Sequence, residues 1–283
     1  MRTYIICAAL WTMSIVGHAA EKPVRFEGQV LEQRGDTWTV KEISPTEKTL
    51  TVKVGEGDAQ ISWQGKRIKG ELHAAEAGLR AEAIFPAEAE ELRRVAEVSE
   101  ALHRETVDKG RLVTRMPNDL MPDMALWDQD AKLVFKRDFL GAPMALNFIF
   151  TSCRSAKMCP ASTQSMKRLG DELDKNPALK SVHLLTITFD PETDSPGVLN
   201  FYAKGYGINQ ARHRFLTGDP AQIKDLMRHY GILTVRDDGT IVHNTALILI
   251  SAEGRILERR EGAMFDAVDV AATLQMYQLP SHK

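Results

Sequence analysis

The sequence predicts an α/β protein in two parts: a small β-barrel followed by a larger domain built on a mainly parallel sheet. Two patterns predict it. From residue 25 to about 86, five short runs of alternating hydrophobicity are punctuated by glycines. After residue 111, nearly continuous apolar runs alternate with amphipathic stretches, as buried strands joined by helices would.

In the first part the expected strands are Phe26–Val30, Trp38–Ile43, Leu50–Val54, Ile61–Trp63 and Leu79–Phe85, with Gly35, Gly55, Gly57, Gly65 and Gly78 between or beside them. Five strands at this spacing make a compact barrel or sandwich, read here as OB-like. Residues 87–109 then read as a helix. Leu92, Val95, Ser99 and Leu102 repeat at helical spacing, Glu90/Arg94 and Glu100/Arg104 are candidate i,i+4 pairs, and Gly110 ends the element.

In the second part, Met124–Leu126 and Leu133–Phe135 flank Asp128-Gln129-Asp130 as a hairpin. Met144–Phe150 and Val182–Phe189 are apolar enough to be central strands. Between them a helix carries Met166, Leu169 and Leu173 on one face and closes near Asn176-Pro177. Ser195-Pro196 and Asp219-Pro220 are cap-then-proline starts of two further helices, separated by a short strand at Phe215-Leu216. Ala246–Ile250 and Ile256–Arg260 form a hairpin across Glu253-Gly254, and a helix from about Phe265 to Met276 closes the chain. That order of strand, helix, strand, helix, hairpin and helix is thioredoxin-like.

The first twenty residues read as a secretory signal. Arg2 precedes an apolar run from Tyr4 to Val16, small residues follow at Gly17, Ala19 and Ala20, and Glu21-Lys22-Pro23 ends the stretch. The expected organisation is therefore a signal peptide over 1–20, a small β domain with its connecting helix over 21–110, and a thioredoxin-like domain over 111–283. The expected location is periplasmic or secreted, with a membrane anchor as the alternative if the signal is retained. Cys7 lies in a poor lipoprotein context, so lipidation is not expected. A formal net charge of −2 and no run of five or six like charges argue against nucleic acid as a partner.

Removing the signal leaves two of the three cysteines, Cys153 and Cys159. They follow the central strand Met144–Phe150 and precede a helix, where α/β sheets place ligand sites. Five residues separate them, enough for a loop that folds back and joins the sulfurs. Two neighbouring cysteines in an oxidising compartment are a disulfide, a redox pair or metal ligands. His243, just ahead of the apolar strand Ala246–Ile250, can reach them from a loop over 237–245. Two thiolates and an imidazole suit Cu(I) or Cu(II), and also zinc if a fourth ligand is added. His183 reads as a packed strand residue, and His229 as a cation at a helix end. Asp190 and Asp194 read first as turn and cap chemistry around Pro191 and Pro196, with support of the site's ligands or recognition of a partner as the alternative. Trp63 and His73 read as core and surface residues of the barrel, where no metal is expected. Met116, Met121, Met124 and Met158 read as core filling.

From about residue 112 to 279 the chain resembles the Sco/SenC family of copper-handling thioredoxin-fold proteins. Four ordered blocks carry the match: Asn147–Cys153 with Met158-Cys159-Pro160; Thr188–Pro196 followed by Leu199 and Tyr202-Ala203; Phe215–Gly218; and His243 ahead of Leu247–Ile250 and Gly254. The resemblance implies copper as the cofactor and Cys153, Cys159 and His243 as its ligands. It also implies delivery of copper to, or reduction of thiols at, the CuA centre of cytochrome oxidase. The partners it implies are a cytochrome oxidase subunit or other copper-receiving protein, and a thiol reductant protein. The chain departs from the usual family pattern by placing five residues between the cysteines instead of three. The competing expectation is an enzyme, a thiol-disulfide oxidoreductase or thiol peroxidase with Cys153 and Cys159 as its redox-active pair. The two-residue spacing of thioredoxin-like motifs is absent, and redox cycling gives His243 no role.

Overall fold

The computed structural model describes residues 23–43, 47–76, 78–237 and 240–278. The expected signal segment lies outside them, and among the described residues no helix is long and apolar enough to cross a membrane.

The first part is a closed five-stranded barrel. Its elements are β1 (Val24–Arg34), β2 (Thr37–Glu42), β3 (Thr49–Lys53), α1 (Glu56–Ala59), β4 (Arg67–Ala75) and β5 (Gly78–Pro86), closed in the order β1-β2-β3-β5-β4. The long β1 pairs with both β2 and β4, and the pairing with β2 is bulged between Val30 and Glu32. Bending needs a residue without a side chain at Gly28. A Cβ there would lie 2.6 Å from Val40 Cγ1 and 2.9 Å from the Lys41 carbonyl oxygen.

The barrel corrects one expected strand. Ile61 and Trp63 are buried, with Trp63 tilted against Trp38 at 6.2 Å, but they lie in irregular chain after α1. The strand is β4 instead. Its inward positions are Ile68, Gly70 and Leu72, and the glycine breaks the apolar alternation. A Cβ at Gly70 would meet the Glu82 carbonyl oxygen at 2.8 Å and the Phe26 ring at 3.1 Å, so the barrel's narrowness selects the residue that hides the strand.

The helix α2 (Ala89–Lys109) follows, ending at Gly110 with φ 52°. It buries Val95, Leu102 and Thr106. In place of the expected Glu90/Arg94 ion pair, Arg93 pairs with Glu90 and Glu97, while Arg94 lies over the Phe135 ring, 4.2 Å from its centroid.

The second part contains β6 (Ala125–Asp128), β7 (Leu133–Phe135), β8 (Met144–Ile149), α3 (Cys159–Lys175), β9 (His183–Thr188), α4 (Pro196–Gly205) and β10 (His213–Thr217). It continues with α5 (Pro220–His229), β11 (Thr234–Asp237), β12 (Thr240–His243), β13 (Ala246–Ile250), β14 (Ile256–Glu261) and α6 (Ala267–Met276). Seven strands form one sheet in the order β14-β13-β8-β9-β10-β6-β7. Neighbours β8, β9 and β10 are parallel, and β13 runs antiparallel to β8. Met166, Leu169 and Leu173 of α3 pack with Val270 and Leu274 of α6, while Leu199 of α4 and Ile223 and Leu226 of α5 belong to the main core that holds Phe148 and Phe215. The fold is thioredoxin-like, as expected. α2 packs against α5 and β6, and α1 packs against α4, so the barrel sits on the second part at two places.

Candidate metal centre

The site forms where β8 ends. Ile149 is its last residue, and the chain then makes two tight turns, Cys153 N–H donating to the Phe150 carbonyl at 3.4 Å and Met158 N–H to the Ser155 carbonyl at 3.0 Å. Those turns return the chain to the start of α3, where Cys159 is the first residue and Pro160 occupies the first turn. The five-residue interval thus folds back on itself and brings Cys153 to Cys159.

His243 arrives differently from the sequence expectation. Residues 234–237 and 240–243 pair as an antiparallel two-stranded ribbon, β11 with β12, where the sequence suggested an open loop. His243 is the last residue of β12, directly opposite Thr234. Its Nδ1 lies 2.8 Å from the Asn244 carbonyl oxygen. A carbonyl can only accept, so Nδ1 carries the hydrogen and Nε2 presents its lone pair. That Nε2 lies 3.3 Å from Cys159 Sγ. The ring stands against Phe189 at 4.7 Å and Phe150 at 5.8 Å, which fixes its plane. Asn244 anchors the ribbon's base: its Nδ2 donates to the Gly231 carbonyl and its Oδ1 accepts from Leu233 N–H.

Donor atoms of Cys153, Cys159 and His243 all lie within 4.8 Å of one another. Bond lengths near 2.3 Å to sulfur and 2.0 Å to nitrogen put the donors of a trigonal ion about 4 Å apart, so small side-chain rotations complete the set. The residues fit a soft ion. Cys159 and His243 are buried, and Cys153 is partly exposed. Burial pushes the Cys159 thiol well up, with the neighbouring Cys153 adding to the rise and a Phe150 backbone hydrogen bond opposing it. Burial also pulls His243 down, partly offset by its bond to Asn244. Without metal the site is therefore neutral at Cys159 and His243. An S–H donating to the imidazole Nε2 accounts for their contact.

The floor is set by Asp194. Its fully buried carboxylate accepts from Thr151 N–H at 3.1 Å, from the Thr151 hydroxyl, and from the Thr188 hydroxyl at 2.6 Å. It thereby ties the end of β9 to the chain two residues before Cys153. Burial raises its pKa above the ordinary carboxylate value, against the pull of those hydrogen bonds. Turn and cap chemistry describes it incompletely. The alternative of support for the site's ligands describes Asp194 better, but its partner Thr151, 43 residues away in the chain, carries no local signal beyond standing two residues before Cys153.

Other expected candidates fall elsewhere. His183 pairs with Met144 at the opposite end of β8 and stands edge-on to Phe139 at 5.6 Å. His229 is not the expected helix-end cation. It is buried, its Nε2 is 3.0 Å from the Thr106 hydroxyl, and burial lowers it to about 4. Met121 and Met124 are buried in the main core, whereas Met116 is exposed. His73 lies at the barrel surface near Glu71 and Glu82.

Fold and donor set together define a thioredoxin-fold protein in which two thiols and an imidazole converge at the carboxyl edge of the sheet. The family model described as SCO1/SenC matches residues 113–278, more than half of the chain, and the chain belongs to that family. The zebrafish (Danio rerio) mitochondrial protein SCO2 homolog is 30% identical over 142 residues, 48% of this chain and 49% of that protein. The chain thus spans about half the length of that relative. Among solved structures, a SCO1/SenC family lipoprotein from Bacillus anthracis aligns with a TM-score of 0.53 at 21% identity, covering 59% of this chain and 99% of the other. BsSco, described as a member of the Sco family of cytochrome c oxidase assembly proteins with a disulfide switch, aligns with a TM-score of 0.52 at 23% identity over 60% of this chain and 99% of its own. At these identities the two structures establish the shared fold.

Proposed function

We propose that this chain binds one copper ion through Cys153, Cys159 and His243 and passes it to a copper-receiving subunit of a cytochrome oxidase, acting outside the cytoplasm after export. The observation that carries this reading is the convergence of two sulfurs and one imidazole nitrogen within 4.8 Å. Thiolates select soft ions, and an imidazole with its Nε2 unprotonated completes a three-donor set for Cu(I) that also tolerates Cu(II). Partial exposure of Cys153 leaves one ligand open to attack by a partner's ligand, which transfer by exchange requires. Membership of a family that includes oxidase assembly proteins supports the recipient, and the apolar amino-terminal segment supports export.

A second reading rests on the same asymmetry. One half-exposed and one buried cysteine can act as attacking and resolving thiols: Cys153 thiolate attacks a partner's disulfide, Cys159 then displaces the partner's thiol, and the new Cys153–Cys159 disulfide awaits a thiol reductant protein. The poorly acidic Cys159 makes a slow resolving thiol, which favours the metal-binding reading.

Titration of the reduced protein with Cu(I) and Cu(II) tests the proposal. One ion per chain with thiolate-to-copper charge-transfer absorption is expected, and His243→Ala should weaken binding by about tenfold or more. Turnover in insulin reduction with no stoichiometric copper binding would replace the first reading with the second.

A further inference from the structure

We infer that the N-terminal barrel holds the cysteine loop in place, through a contact in which Gly57 and Asp58 of α1 press on Gly197 in the first turn of α4. The inference rests on Cys153, Cys159 and His243 forming the working site, but not on copper being its ligand.

At this contact Gly57 meets the Gly197 backbone and the Asp58 side chain lies against Gly197. A Cβ on Gly57 would lie 1.8 Å from the Gly197 carbonyl oxygen, and a Cβ on Gly197 would lie 2.3 Å from the Asp58 carboxylate. Both distances are far inside van der Waals contact, so glycine is required at both positions. Asp58 is buried and its Oδ1 has no hydrogen-bond partner. Leaving that buried oxygen unpaired costs free energy.

From Gly197 the route to the site is short. Three residues earlier in the chain stands Asp194, whose carboxylate fixes Thr151 and Thr188. Two residues after Thr151 stands Cys153. Pro191 and Glu192 of the loop between β9 and α4 line, together with Arg25 and Lys69 of the barrel, an open cleft of about 940 Å³. The barrel therefore grips the start of α4 three residues from Asp194. Gly57 and Gly197 act as positioning residues for the cysteine loop.

The test is the alkylation rate of Cys153 by iodoacetamide in the reduced, metal-free full chain, read beside circular dichroism and the melting temperature. Gly57→Ala and Gly197→Ala should each raise the rate by about threefold or more, because a loosened loop opens more often. Adding Asp58→Ala to Gly197→Ala should restore the wild-type rate, since the shortened side chain vacates the space the new methyl needs. Adding it to Gly57→Ala should not, since that methyl strikes a backbone carbonyl. Gly197→Ala meets only a side chain and carries the test if Gly57→Ala does not fold. Lower melting temperatures with an unchanged alkylation rate, or failure of Asp58→Ala to rescue Gly197→Ala, would overturn the inference. Failure of the wild-type chain to bind copper would overturn the proposed function and leave this result standing.

Discussion

Replacing Asp194 by alanine tests how the site is built. The carboxylate accepts three hydrogen bonds, two from Thr151 and one from Thr188. A hydrogen bond to a charged group contributes about 1.5–3 kcal/mol net. Thr151 is half-buried, so water replaces much of what its two donors lose. The Thr188 hydroxyl is fully buried and keeps only its acceptance of Asp190 N–H, at 3.0 Å. Orphaning that donor costs about 1–3 kcal/mol, while removing a buried carboxylate returns part of its desolvation. The net expectation is a loss of about 2–4 kcal/mol, with Asp194→Asn losing roughly half because it keeps one acceptor oxygen. Urea unfolding followed by circular dichroism reads the stability, and copper affinity read on the same samples should fall with it. A midpoint shift equivalent to less than about 0.5 kcal/mol, with copper affinity unchanged, would refute the role given to Asp194.

Three further outcomes follow from the same geometry. Copper binding near pH 7 should release protons, because burial keeps the Cys159 thiol protonated in the metal-free chain, and affinity should fall as pH falls; titration in weak buffer with a pH indicator measures it, and binding without proton release would contradict the account. Asp58 is pushed up to about 7 by burial, above its ordinary 3.8. An acid raised on folding binds protons more tightly in the folded state, so its stability cost is absent below pH 4, grows as pH rises to 7 and then stays constant; Asp58→Asn should therefore unfold at higher urea than the parent at pH 8 and at equal urea at pH 4. Asn244→Ala removes both bonds at the ribbon's base and should weaken copper binding by about tenfold with less than 1 kcal/mol lost from global stability, as isothermal titration and urea unfolding would show.

Much of the fold was legible because burial leaves its mark on local pattern. The continuous apolar runs at Met144–Phe150 and Val182–Phe189 marked β8 and β9, and Asp219-Pro220 marked α5, where Asp219 Oδ1 accepts from Gln222 N–H. Ser195 was correctly placed at the start of α4, but its hydroxyl makes no cap bond and is buried without a partner. What escaped was decided by distant contacts. β4 was hidden because its central inward position must be glycine to clear Glu82 and Phe26. His229 was misassigned because its environment is Thr106, 123 residues away. The site's three donors were readable from residue type, strand-end placement and family resemblance. The ribbon that delivers His243 was not readable, since its strands are only four residues long and lie outside the main sheet, with Val235 and Val242 paired and exposed.

The proposed centre is one copper ion gripped by two sulfurs and one imidazole nitrogen of this chain. X-ray absorption at the copper edge, on the reduced protein loaded with one equivalent of Cu(I), reads that directly. Two sulfur scatterers and one imidazole nitrogen are expected, with the nitrogen lost in His243→Ala and one sulfur lost in Cys159→Ser. A spectrum fitted by oxygen or nitrogen ligands alone, or one unchanged in His243→Ala, would contradict it.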